Sequence, residues 1–252
     1  MCVTKEEMKD FVMGRGADIF GVADMTDAAE FVRETYGEYY ASFPRAVSFA
    51  IFFPKEVVNE QLAGPTRNYM TVYTALNREI DHISAAAAVR LQKAGYKAYP
   101  VAASDYRPAG DMSRLHWRVA EAGGASSFAK VSLDIIGAFG HRTAAVRAGL
   151  GWIGKSCSIV NGQVGPRLRL GTVLTDAPFE PDAPVENRCG GCTECAKACP
   201  VHALRGRTFD ASEPLSERFD VKKCFDFWDD MDKVYGLGGT CGLCLAACPW
   251  GK

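Results

Sequence analysis

The sequence predicts a layered α/β domain over residues 1–184, of the α+β layered kind, followed by a small cysteine-built module over 185–252. Three observations carry this. Strand-like and helix-like patterns alternate through the first part. Pro178, Pro181 and Pro184 fall within seven residues and mark a stiff linker. Eight of the ten cysteines crowd into the last 64 residues.

The elements follow in order. Thr4, then Glu6 and Glu7, then Met8, Phe11 and Val12 predict a capped first helix. Asp18 to Ala23 reads as a short strand, and Thr26 or Asp27 as the cap of a second helix ending near Tyr36. Ala46 to Phe53 (AVSFAIFF) is nearly continuous in apolar residues and closed by Pro54, which predicts a strand buried on both faces. Tyr69, Tyr73, Leu76, Ile80, Ile83, Ala87 and Leu91 recur at steps of three and four, a single helical stripe that Gly95 ends. His82 lies off that stripe and is expected to be exposed. Tyr96 to Ala103 reads as a strand and Ser104 to about Gly140 as a long surface excursion. A short helix over His141–Ala148 is stopped by Gly149, and Ser158–Val160 and Leu168–Leu174 read as further strands.

Composition narrows the function. The chain has 252 residues, 48% hydrophobic and 23% charged, enough apolar material for a core of its own. A net charge of −1 argues against a polyanion-binding surface. No apolar run reaches the roughly 18–20 residues that cross a bilayer. The start, Met1 to Glu7, lacks the apolar stretch of a secretory signal. The expectation is a cytoplasmic protein without a membrane partner, whose cysteines bind metal rather than form disulfides.

The cysteine spacing names the metal. The first run is Cys189-x2-Cys192-x2-Cys195-x3-Cys199-Pro200; the second is Cys224, sixteen residues, then Cys241-x2-Cys244-x3-Cys248-Pro249. Three closely spaced thiolates wrap one corner set of a cubane, and the fourth swings away to a neighbouring cluster. The expectation is a bacterial ferredoxin-type module with two 4Fe–4S clusters. One would be held by Cys189, Cys192, Cys195 and Cys248, the other by Cys199, Cys224, Cys241 and Cys244. Cys224 is the outlying ligand, because a helix and a turn at Gly238-Gly239 are expected to intervene. Structural zinc prefers two paired C-x2-C units, so zinc is the weaker reading. Cys2 is expected to be a terminal thiol, and Cys157 to pack into a strand.

Cluster potentials span roughly −700 to +450 mV, so the cysteines alone do not say where electrons go. The stretch from His141 to Asp176 carries HRTAAVRAGLGWIGK and GPRLRLGTVLTD, followed by the first cysteine run and ending in Cys248-Pro249-Trp250. Over about 141–252 this resembles epoxyqueuosine reductase and its relatives, iron–sulfur enzymes that carry cobalamin and share that domain with respiratory reductive dehalogenases. Gly16-Ala17-Asp18 and Phe20 to Ala23 resemble the family's opening more weakly.

The resemblance implies a nitroreductase-like cobalamin-binding domain ahead of the clusters. Gly149, Gly151 and Gly154 would let backbone approach the macrocycle, and Trp152 and Ile153 would offer it apolar surface. Arg142, Lys155, Arg167, Arg169 and Thr172 would meet its tail. The bland reading of the same residues is a tight turn with charged neighbours. The run is not a dinucleotide fingerprint, because it lacks the helix-entry context. The family's acidic proton donor has no secure counterpart. Asp105 has the strand-end position, Asp134 nearly the distance to the AGLGWIGK helix, and His141 is a third candidate suited to proton transfer near neutral pH.

The implied activity is a cobalamin-dependent iron–sulfur reductase acting on a small-molecule substrate and fed by a low-potential ferredoxin or flavodoxin. The family's helical-repeat extension is missing after Lys252, which with the weakly acidic balance disfavours tRNA as substrate. Two alternatives stay open. One is an electron-transfer protein that reduces a partner, such as a corrinoid activator; the other is a flavin in the first domain.

Overall fold

The computed structural model describes residues 3–104, 139–236 and 241–252. Helix α1 spans Lys5–Met13 behind a reciprocal cap: Thr4 Oγ1 accepts from Glu7 N, and Glu7 Oε2 accepts from Thr4 N. Strand β1 (Ile19–Asp24) follows. The next helix differs from expectation. Thr26 does not cap it; the Thr26 hydroxyl donates back to Asp24 Oδ1 at 2.6 Å. Thr26–Ala28 instead forms a 3₁₀ turn that leads into α2 (Ala29–Tyr36). A short α3 (Glu38–Ala41), strand β2 (Arg45–Phe52) and α4 (Lys55–Asn59) come next. The striped helix is α5, Arg67–Lys93, capped by Thr66 and ended at Gly95 with φ of +93°. His82 is exposed on it.

Strand β3 is Ala98–Val101, and α6 is His141–Arg147. Two short strands, β4 (Trp152–Ile153) and β5 (Ile159–Val160), form a ribbon of their own. Strand β6 is Leu168–Thr175. The main sheet runs β1-β2-β6-β3, and every pairing in it is antiparallel. The alternation of helix and strand therefore builds an α+β layered sheet rather than parallel crossover units.

Strand β2 explains the layering. Val47, Phe49 and Ile51 face one core, shared with Met8 and Val12 of α1 and Ile80, Ile83, Ala87 and Leu91 of α5. The alternate positions Ala46 and Ala50 face a second core with Ala144, Ala145 and Ala148 at α6. Large side chains fill the α5 side, and small ones let α6 lie close. Gly21 on β1 marks the tightest point, since a Cβ there would sit 2.2 Å from the Ala148 carbonyl oxygen. This approach fixes where the turn after α6 begins.

The proline segment is tied down along the sheet edge. Asp182 N donates to the Val22 carbonyl at 2.8 Å, its carboxylate accepts from Val22 N at 2.8 Å, and it pairs with Lys5 at 2.7 Å. At Val22, in the middle of edge strand β1, both outward backbone groups are thereby paired, which blunts the edge as a template for another chain. After the proline segment come α7 (Glu194–Lys197), α8 (Val221–Tyr235) and α9 (Leu243–Ala246).

A Gly21→Ala substitution tests the close packing of α6. It forces backbone against backbone and is expected to destabilise the fold by about 1–3 kcal/mol, read as a lower midpoint in denaturant with unchanged slope.

Candidate metal centre

The cysteines sit on short elements separated by sharp turns. Cys195 is on α7, Cys224 in the first turn of α8 and Cys244 on α9. Asp220 caps α8 by accepting from Lys223 N at 3.0 Å, which fixes the turn carrying Cys224. Gly190 and Gly242, at φ of +51° and +66°, turn the chain beside Cys189 and Cys241. The expected helix after Cys224 extends to Tyr235; Gly238-Gly239 lies outside the described residues, as does Cys2.

Cys189, Cys192, Cys195 and Cys248 line one small pocket together with Lys155, Ser156, Val160, Pro249 and Trp250. The Cys195 thiol is pushed up to about 11, by burial first and then by Cys248, with Cys189 and Cys192 adding to it. Cys199, Cys224 and Cys244 share an apolar cluster with Ala203 and Leu204. Burial pushes Cys224 up to about 12, with Cys241 and Cys199 as further causes. Cys244 is raised well above the ordinary thiol range by burial, then by Cys241 and Cys224. Crowded buried thiols of this kind resist ionisation unless a metal takes the charge.

Among the described residues no group of three or more histidine, cysteine or carboxylate side chains draws in tightly enough for a single metal ion. Soft thiolates set around a space suit an iron–sulfur cluster. Cys157 is not in a strand. It occupies the turn between β4 and β5 at φ of +57°, is buried, and packs against Cys195 and Cys199.

The residues assigned by resemblance to a corrin divide into two groups. Those of the AGLGWIGK stretch turn toward the cysteines. Trp152 is buried, donates its indole N–H to Cys189 Sγ at 3.4 Å and meets Trp250 edge-on at 5.1 Å. Lys155 is 8% exposed and donates to the Gly190 carbonyl at 2.7 Å. Arg167 is 1% exposed and grips the C-terminal loop through the carbonyls of Trp250 (2.7 Å), Ala246 (3.1 Å) and Cys248 (3.4 Å).

The glycines are packed by the chain itself. A Cβ on Gly149 would meet Ala183 O at 2.6 Å, on Gly151 Val160 O at 2.3 Å, and on Gly154 Val160 Cγ2 at 2.5 Å. On the Cβ side of each glycine the chain's own atoms therefore make the close approach. Ile153 gives its carbonyl to Asn187 Nδ2 at 2.9 Å, and Arg142 donates to the Cys157 carbonyl.

The second group lies at the end of the sheet. Arg169 stacks over the Tyr73 ring at 4.1 Å and donates to Asn77 Oδ1 at 2.8 Å and the Ala103 carbonyl at 3.3 Å. His141 bonds Thr172 Oγ1 at 2.9 Å through Nδ1 and the Ala102 carbonyl at 2.8 Å through Nε2. A carbonyl only accepts, so Nε2 carries the proton and Nδ1 accepts from the Thr172 hydroxyl. Burial pushes the His141 imidazole down to about 4. At neutral pH its one proton is engaged with a carbonyl. Asp105 and Asp134 lie outside the described residues.

Sequence reading missed several contributors. Asn187 accepts from Cys189 N at 2.9 Å, and an Asn two residues before a ligand was the available turn signal. Tyr69, legible only as a stripe residue, is buried against Gly242, where a Cβ would come within 2.6 Å of its ring. Phe53 stacks on it at 5.0 Å.

Comparison with known proteins agrees with this geometry. Residues 188–251 match the family described as 4Fe-4S double cluster binding domain. Epoxyqueuosine reductase of Bacillus cereus is 36% identical over 120 residues, covering 46% of this chain and 30% of the relative. Tetrachloroethene reductive dehalogenase of Sulfurospirillum multivorans is 34% identical over 120 residues, covering 43% of this chain and 23% of that one. The matches thus span about a third or less of these relatives' lengths.

The fold extends further than the sequence match. A reductive dehalogenase structure, described as suggesting a mechanism for B12-dependent dehalogenation, overlays 98% of this chain and 31% of its own at a TM-score of 0.68 and 21% identity. An epoxyqueuosine reductase solved with an epoxyqueuosine-modified tRNA stem loop overlays 98% of this chain and 65% of its own at 0.57 and 19% identity. That structure corrects the expectation against tRNA. A protein of this fold takes a tRNA stem loop, and neither the net charge nor the position of the last residue argues otherwise. Among the described residues no helix is long and apolar enough to cross a membrane.

Two outcomes are expected here. A free histidine changes charge near 6.5; with His141 held down to about 4, the unfolded chain takes the proton first, so this group's stabilisation is present above about 6.5 and fades as pH falls toward 4. Its ring resonances, assigned with His141→Gln, should stay those of a neutral imidazole between about pH 7.5 and 5.5, where an ordinary histidine titrates. Separately, Arg167→Met should free the Cys248 loop, and the reconstituted variant should retain the iron of one cluster rather than two.

Proposed function

We propose that this chain is an iron–sulfur reductase in which two 4Fe–4S clusters deliver electrons to the N-terminal domain, where a bound cobalamin serves the reduction of an organic substrate. In this reading one cluster takes Cys189, Cys192, Cys195 and Cys248, the other Cys199, Cys224, Cys241 and Cys244. The boundary between the two units falls at the proline segment near residue 184. One observation carries the proposal. The cavity lined by the first four cysteines takes part of its wall, Lys155, Ser156 and Val160, from the N-terminal domain. A cluster there would touch the domain it reduces, with no intervening layer.

Cobalamin rests on the relatives, in particular the fold shared with a protein of B12-dependent dehalogenation. When bound, it supplies the metal-centred redox chemistry. Arg169 and Thr172, at the end of the sheet and bonded to Asn77 and His141 respectively, are the residues that would meet it. A proton donor is sought first in Asp105 and Asp134, because His141 holds a single, engaged proton. Substrates of both kinds stay open, a small halogenated or hydroxylated organic molecule and a modified tRNA base. The electron donor would be a low-potential ferredoxin or flavodoxin.

The test is anaerobic reconstitution with iron, sulfide and cobalamin, followed by gel filtration, absorption spectra and metal analysis. Co-elution of cobalt with the iron of two clusters is the expected result. Iron without cobalt would favour an electron-transfer protein, and a flavin spectrum a nitroreductase-like first domain. Asp105→Asn or Asp134→Asn is expected to abolish turnover of the competent substrate while leaving cobalamin retained.

A further inference from the structure

The two sets of cysteines sit in unequal electrostatic surroundings. Around Cys189, Cys192, Cys195 and Cys248, three donors converge from the N-terminal domain. The Trp152 indole N–H points at Cys189 Sγ at 3.4 Å. The Lys155 ammonium, 8% exposed, lines the same cavity and is anchored on the Gly190 carbonyl. The Arg167 guanidinium, 1% exposed, holds the backbone of Cys248 itself. The only acid within this run, Glu194, is exposed and paired with Lys197 at 2.8 Å.

Around Cys199, Cys224, Cys241 and Cys244 the described donors are of another kind. Ala203 N donates to Cys199 Sγ at 3.3 Å from the backbone. Lys222 and Lys223 beside Cys224 are exposed, and Lys222 is paired with Asp226 at 2.6 Å. Buried Arg218 stacks over the Phe209 ring at 4.5 Å. Exposed charges are screened by water and salt, whereas buried ones act nearly unscreened.

Reducing a cluster adds one negative charge to it. Buried cations and N–H groups aimed at its sulfurs stabilise the reduced form more than the oxidised form and raise its potential. We propose that the cluster at Cys189, Cys192, Cys195 and Cys248 is the higher-potential member and the electron acceptor of the pair, and that Trp152 sets its potential through the N–H···S contact to Cys189. One electron leaves the Cys199, Cys224, Cys241 and Cys244 cluster, which is oxidised, and reduces the other; no bond is made or broken. Trp152 acts here as a positioning and tuning residue. The inference rests on the two-cluster reading above.

The experiment is a redox titration of the anaerobically reconstituted full chain followed by electron paramagnetic resonance. The iron of two clusters and two one-electron waves are expected. Trp152→Phe keeps the ring and deletes the N–H; it should move the first wave, the one reduced at higher potential, to more negative potential and leave the second in place. Lys155→Met should move the same wave in the same direction.

A measurement on the unaltered sequence covers the case in which a variant loses its cluster. With ¹⁵N-indole tryptophan, hyperfine spectroscopy of the half-reduced protein should detect a nitrogen coupled to the first-reduced cluster, and Trp250→Phe should preserve that coupling. Absence of the coupling, its appearance only on the second-reduced cluster, or a Trp152→Phe titration in which neither wave or both waves move overturns the assignment. Iron for one cluster only, or a single wave, overturns the two-cluster reading instead and the inference with it.

Discussion

The rest of the molecule depends on one buried guanidinium. Arg167 stands at the entry to β6, and its own carbonyl accepts from Phe53 N at 2.9 Å, extending the β2–β6 ladder. Its side chain crosses to the C-terminal loop and donates to three carbonyls there. Burying a charge costs several kcal/mol before compensation, and charge-assisted bonds to carbonyls that would otherwise lack donors offset it. The consequence is mechanical. The Cys248 loop is held to the most central pair of strands in the sheet, so the cysteine module inherits the rigidity of the core. Gly165 and Gly251 complete the fit, with a Cβ on either meeting backbone of the other segment at 1.9 and 2.2 Å respectively.

That rigidity begins in the division of labour on β2. Placing Val47, Phe49 and Ile51 on one face and Ala46 and Ala50 on the other gives the sheet a thick side and a thin side. The long helix α5 covers the thick side, and α6 sinks into the thin one. Because α6 is seated by backbone-to-backbone contact at Gly21 and Ala148, the turn that follows has little freedom. It delivers Trp152 and Lys155 to the cysteines rather than to solvent. Core packing on one side of the sheet thus determines what lines the metal site at its end.

Much of this was legible in the sequence because it depends on spacing. The α5 stripe, the Thr4 cap and the doubly buried β2 follow from periodicity that a single chain displays openly. The cysteine runs are legible for the same reason, since short steps between ligands constrain geometry locally. What could not be read is which partner each polar or glycine residue meets. Gly149, Gly151 and Gly154 signal close backbone approach, and the approach is real, but the approaching group is the chain's own Ala183 and Val160. Arg167 signals an anion or a carbonyl equally well; only the return of the C-terminus 80 residues later decides for the carbonyls of Ala246, Cys248 and Trp250. Thr26 is not the cap because Asp24, two residues earlier, accepts from both its backbone N–H and its hydroxyl and places it inside the 3₁₀ turn.

The same shift of partner changes what the AGLGWIGK turn means. Read as a cofactor bed, it would be an open, flexible loop awaiting a ligand. As built, it is a turn whose glycines pack against the chain's own atoms, whose indole N–H points at Cys189 Sγ, and whose ammonium lines the same pocket while bonded to the Gly190 carbonyl. Trp152 is buried and meets Trp250 edge-on, so its N–H dipole acts in a region of lower dielectric than water, where dipoles act more strongly. A change that loosens Trp152 therefore acts on a buried dipole beside Cys189, whereas a change at the exposed lysines beside Cys224 acts on charges that water screens.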